Sequence, residues 1–327
     1  MMLSLALAAA AAAAPAPTVT IDAWKVPYEN SRPRDPDIAA DGRVWFVGQA
    51  GHYIAVFDPK SASFTKHDLA DRAGPHNLVL SRDGIVWYTG NLEGYIGRLD
   101  PRDFGKDGAV RKYPMPDPAV DDPHTLAWAP DGNLWFTAQK GNVLGHLDVK
   151  TGAVRLWPAS KPDSRPYGIV VDAQDRPWAN LLGTHKLATV DPETFAYEEI
   201  TLPREAARTR RIALGKDGAV WAVDYGAGYL VRYDPKKRAV QEWLAPAGDT
   251  ARPYAMSVDD RERFWFAESG PQPNRLVCFD PAQEKFVADV EVPNANGAIR
   301  HMVFDPKTRA FWFGTDTNYL MRATIAD

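Results

Sequence analysis

Two sets of residues, each recurring once in every one of seven repeats, carry side chains able to do chemistry. The first set stands at the head of a repeat, most often directly after a proline: Asp37, His76, His124, Tyr167, Arg211, Tyr254 and His301. Every member is polar or ionisable, although each opens a segment that is otherwise apolar. Three of the chain's seven histidines belong to it. The second set lies three residues past a recurring Trp: Gly48, Gly90, Ala138, Leu181, Asp224, Glu268 and Thr315. It is small or apolar over four repeats and acidic at Asp224 and Glu268. Those two carboxylates are oxygen donors of the kind a hard divalent cation prefers, which makes them metal candidates. His301, one repeat on, is the candidate catalytic base, with Glu268 beside it. His76, His124, Tyr167, Arg211, Tyr254 and Asp37 are then the candidate substrate-binding residues. In a second reading, Arg211 and Arg300 pair with the carboxylates and the set is a satisfied polar rim.

The elements that must position these residues are legible from tryptophan. Seven of the chain's eleven Trp, at 45, 87, 135, 178, 221, 265 and 312, are separated by 42 to 48 residues, the period of a propeller blade. Before each Trp runs an apolar segment, and in four repeats an Asp-Gly pair (Asp41-Gly42, Asp83-Gly84, Asp131-Gly132, Asp217-Gly218) marks a tight hairpin. A third segment ends in Asp-Pro or a variant, as in Ile96 to Pro101, and a fourth often ends in Pro, as in Val110 to Pro116. The fold class expected is all-β: a seven-bladed β-propeller with four antiparallel strands per blade. After Trp312 only a third strand remains, Tyr319 to Ile325, while Ile21 to Pro27 has the fourth-strand pattern. The N-terminal strand therefore closes the last blade. The Trp residues themselves belong to the core between blades.

Composition bounds the rest. The 327 residues are 45% hydrophobic and 24% charged, as in globular chains, and the net charge of −4 speaks against a nucleic-acid partner. One cysteine, Cys278, excludes an internal disulfide framework. Residues 1–17 read as a secretory signal segment around the apolar run Leu3 to Ala14, which places the propeller, 18–327, in the periplasm or outside the cell. No other apolar run approaches about 18 residues, so no membrane span is expected. The propeller is expected to be a monomer that takes a small-molecule ligand at its central channel.

The unit Pro-(His/Tyr)-x-(Ile/Leu), then Asp-Gly-x-(Val/Leu)-Trp-Phe-Thr and an outer strand ending in Pro, resembles the virginiamycin B lyase (streptogramin B lyase) family from about Ile21 to Ile325. The resemblance implies a lyase assisted by Mg²⁺, with Ca²⁺ as the alternative ion and no organic cofactor. It would open an ester in a cyclic depsipeptide or related compound, a His removing a Cα proton. In this chain Glu268 shares its repeat with Tyr254, and His301 comes from the next. Two other readings stay open. One is a non-catalytic periplasmic propeller that binds a ligand or a protein. The other is a gluconolactonase-like lactonase with Asn180 and Asp224 on its metal.

Overall fold

Three residues before every blade Trp the backbone turns left-handed, with φ between +51° and +88° at positions 42, 84, 132, 175, 218, 262 and 309. Gly occupies four of these positions and pays no steric cost there. Asp175 and Glu262 accept the cost and use their carboxylates to take the backbone N–H of Asp131 and Lys216 on the preceding blade. These hairpins, repeated, build the fold. The computed structural model describes residues 16–69 and 72–326, so the expected signal segment lies outside the described residues except for its last two.

Seven four-stranded antiparallel sheets follow one another around a ring, which is a seven-bladed β-propeller. Their innermost strands are Pro33–Ile38, Pro75–Leu80, Pro123–Trp128, Pro166–Val171, Thr209–Leu214, Pro253–Val258 and Ile299–Asp305, each packed against the next and the last against the first. We number the blades 1 to 7 in that order. Proline cannot donate to a ladder, and the first residue of an edge strand facing a channel is one of the few places in a sheet that tolerates it. Blade 7 takes its outermost strand from the N-terminus: Thr18–Lys25 pairs residue by residue with Tyr319–Ala326. Trp24 of that strand stacks on Trp312 at 5.5 Å, and Arg322 reaches Asp22. The expected closure is present, and the ring has no unpaired end.

Each of the seven Trp is at most 5% exposed and packs within or between adjacent blades. Trp221, for example, lies flat on Phe264 of the next blade at 4.2 Å. Burying about 200 Å² of such a side chain contributes on the order of 5 kcal/mol before chain entropy is counted. Among the described residues no helix is long and apolar enough to cross a membrane.

Candidate functional site at the channel mouth

All seven innermost strands carry the same irregularity. In blade 2 Pro75 pairs with Gly90 and Leu78 with Tyr88, so His76 and Asn77 together oppose Thr89 alone. The other six blades each gain one residue in the same strand, blade 1 one position later, after Arg34 pairs with Val47. A bulge of this kind interrupts the in–out alternation. Two successive residues of each blade, instead of one, are therefore turned toward the channel and its neighbours. The upper ring is Arg34, His76, His124, Tyr167, Arg210, Tyr254 and Arg300. The lower ring is Asp35, Asn77, Thr125, Gly168, Arg211, Ala255 and His301.

This register relocates part of the expected site. Asp37 is three residues below the mouth, where its carboxylate takes the N–H groups of Ile38 and of Leu80 in blade 2. Burial pushes that carboxyl up to about 6, and its side chain staples two blades together. Arg34 stands where Asp37 was expected. Arg211 and His301 line the channel one layer deeper than expected, below Arg210 and Arg300. Two prolines, Pro33 and Pro36, stand at the head of blade 1 and the count from the second passes over Arg34, while Arg210 follows Thr209 and has no proline to mark it. Counting back from Trp finds both, since each lies eleven residues before its Trp, as His76 lies before Trp87. In blade 7 the hairpin is longer by one residue, Val303 pairing with Trp312, and the same count lands one short of Arg300.

A polar network crosses the lower ring. Arg211 spans the channel, donating to Asp35 at 2.9 Å, to the Arg300 carbonyl at 2.9 Å and to Thr125 at 3.3 Å. Asp35, wholly buried, also accepts from Arg34 and Asn77. Burial alone would raise its carboxyl, but Arg211 and Arg34 outweigh that and hold it far below the usual carboxylate range. The His76 and His124 rings lie with centres 3.6 Å apart, tilted by 39°. Burial first, then neighbouring positive groups including Arg211, keeps both imidazoles uncharged. His301 is driven down to about 4 by burial and Arg211, and its Nδ1 has no hydrogen-bond partner.

Above this floor, the hydroxyls of Tyr167 and Tyr254 meet across the mouth. The Arg210 guanidinium lies 3.8 Å from the ring centre of Tyr254, 4.4 Å from that of Tyr225 and 5.0 Å from that of Tyr167. Burial would raise Tyr254, yet Arg210, Arg34, Arg211 and Arg300 together pull its phenol down to about 8. Burial and the neighbouring Tyr254 push Tyr167 the other way. The pair thus has one phenol that ionises readily and one that does not. Beside it, Tyr225, Asp249, Thr250, Arg252, Ser269 and Gln272 line a cleft of about 480 Å³.

The acidic pair lies elsewhere. Asp224 Oδ1 accepts from the backbone N–H groups of Arg208, Gly226 and Ala227, and Glu268 Oε1 from that of Ala247. Each carboxylate fastens loops between strands, and burial raises both. The groups that act on Glu268 are Ala247, Asp289 and Arg275, whereas those on His301 are Arg211, Asp35 and Arg34, so the two are not brought together. One oxygen of each carboxylate is unbonded, but among the described residues no group of three or more His, Cys, Asp or Glu is placed to hold a metal. Asn180 is wholly buried with both amide atoms unpartnered and has no carboxylate among its hydrogen-bond partners. The residues present do not fit a Mg²⁺ or Ca²⁺ site at Glu268, Asp224 and Asn180.

No curated protein matches the chain. Among solved structures, virginiamycin B lyase from Staphylococcus aureus superposes with a TM-score of 0.84 at 21% identity over 94% of this chain and 100% of that one. A streptogramin B lyase gives 0.83 at 22% identity over 94% and 98%. A catalytically inactive histidine-to-alanine variant of the Staphylococcus aureus enzyme, solved with quinupristin, gives 0.84 at 21% over 94% and 100%. These likenesses show the shared propeller. With residues 19–323 matching the description of the virginiamycin B lyase family, the chain belongs to that family.

Proposed function

We propose that the protein is a carbon–oxygen lyase in which Tyr254, as phenolate, is the base. The observation that carries this reading is the position of the Tyr254 hydroxyl, buried at the mouth and surrounded by Arg34, Arg210, Arg211 and Arg300. A general base works best with a pKa close to the operating pH, and among the ring residues Tyr254 comes nearest to that. The phenolate takes the proton from the carbon next to an ester or acid carbonyl. The C–H electron pair becomes the new C=C bond, the C–O bond at the next carbon breaks, and the leaving oxygen departs as a carboxylate. The proton remains on Tyr254 until solvent removes it. Negative charge that builds on the carbonyl oxygen is met by guanidinium groups already in place, the kind of preorganised stabilisation that lowers such barriers.

Family membership supports a lyase, and the relatives named for streptogramin B and virginiamycin B suggest an ester within a cyclic depsipeptide. The test is a panel of β-acyloxy acids and esters, open and cyclic, followed by the ultraviolet absorbance of the unsaturated product. Tyr254→Phe should lower kcat by about 10²-fold or more while the melting profile at neutral pH is kept. Turnover undiminished in Tyr254→Phe would sink the assignment. A second reading, a propeller that binds without turnover, is favoured by the contact of the Tyr167 and Tyr254 hydroxyls across the mouth. It predicts ligand binding in wild type and Tyr254→Phe alike, with no product from either.

A further inference from the structure

Four guanidinium groups converge on the mouth against two carboxylates. Asp35 is shared by Arg34 and Arg211, and Asp316 is taken by Arg300 at 2.7 and 2.9 Å. Arg210, half-buried, has three phenol rings around it, a hydrogen bond to Tyr167 and no carboxylate, and its Nε is buried without a hydrogen-bond partner. Arg34, 4% exposed, likewise leaves Nη2 unpartnered. The three histidines of the two rings, held neutral, add no further positive charge. A buried cation without an anion or a full set of acceptors is expensive, and proteins keep one mainly where something else supplies the anion. The adjoining cleft has room for a small organic acid and is lined by one further cation, Arg252, 5.9 Å from the Tyr225 ring, and one carboxylate, Asp249, so the excess of positive charge lies at Arg210 and Arg34.

We infer that the ligand of this mouth carries a carboxylate, which Arg210 and Arg34 receive. The inference rests on the mouth being the ligand site, and it narrows the substrate class of the proposed lyase to acids. Planar guanidinium matches a carboxylate with two parallel hydrogen bonds, and the unpartnered Nε and Nη2 are donors of that kind. One consequence follows from charge alone. The groups that face Tyr254 are Arg34 from blade 1, Tyr167 from blade 4, Arg210, Arg211 and Tyr225 from blade 5, and Arg300, with its partner Asp316, from blade 7. A Tyr254 phenolate therefore draws on the same positive charge as the bound carboxylate. By linkage each weakens the other.

The probe is malonate, with its uncharged diamide as control, titrated calorimetrically into the full chain from pH 6 to pH 10. Malonate should bind and malonamide should not. Malonate affinity should fall as the pH rises through about 8 in wild type and stay level in Tyr254→Phe, where no phenolate forms. Arg210→Gln should weaken malonate at least about tenfold, and Arg210→Lys, which keeps the charge, should weaken it less. Equal binding of acid and diamide, no binding of either, or malonate binding untouched in Arg210→Gln would each overturn the inference, the last marking an adventitious ion only. Malonate binding of the expected kind, with no unsaturated product from any member of the β-acyloxy panel, would retain this inference and remove the lyase. Product formed only from neutral esters by a protein that ignores malonate would do the reverse.

Discussion

At the scale of single residues, Tyr254 is where burial and charge oppose each other most plainly. Burial disfavours the phenolate, and four cations favour it by more. Because the folded phenol ionises near 8 while an unfolded one ionises near 10, the folded state holds fewer protons between those values. Stability conferred by Tyr254 should therefore grow as pH rises from about 8 to about 10, reaching roughly 3 kcal/mol, and vanish as pH falls through 8. Urea unfolding of wild type and Tyr254→Phe across that range reads it directly. A constant difference between the two proteins would show that the phenol is not depressed. Tyr254 and Tyr167 were legible in the sequence, since each follows the proline that opens a repeat. Arg34 was masked by the second proline, Pro36, and Arg210 and Arg300 follow no proline, while the bulge that turns two successive residues toward the channel has no signature in the repeat.

At the scale of elements, the end of each blade's second strand faces its own loops, not the channel. Gly48 shows why: a Cβ there would come within 2.1 Å of the Tyr53 ring of the neighbouring strand. Asp224 in the same position accepts three backbone N–H groups on one oxygen while its other oxygen has no partner. Asp224→Ala should therefore cost about 2 kcal/mol in urea unfolding, while Asp224→Asn, which keeps one acceptor and removes a buried charge, should cost little. Neither EDTA nor Mg²⁺ should alter these values. A Mg²⁺-dependent gain in wild type that is absent from Asp224→Ala would restore the carboxylates as metal ligands. Sequence spacing alone could not separate these roles, because a loop cap and a cation ligand ask for the same side chain at a strand end.

At the scale of the whole molecule, the ring was the most legible feature, since the Trp interval and the four Asp-Gly turns repeat on a fixed period. Closure by the N-terminal strand was visible too, because the last repeat lacks one strand and the first segment supplies it. That closure sets a specific expectation. Removing residues up to Lys25 uncovers the edge of Tyr319–Ala326 and the apolar side chains Met321 and Ile325. The shortened chain should melt at least roughly 10 °C lower and self-associate on size-exclusion chromatography. A truncated protein as stable and as well dispersed as the full one would mean that the other six blades hold the ring without it.

The arginine that bridges the channel floor has a consequence for traffic. Arg211, tied to blades 1, 3 and 7 at once, bars the channel at its depth to any molecule that does not break those bonds. Whatever enters through the mouth must back out by the same way, so a departing molecule and an arriving one compete for a single doorway. Exchange is then one out before one in, and a product that lingers delays the next visitor even when its own affinity is modest.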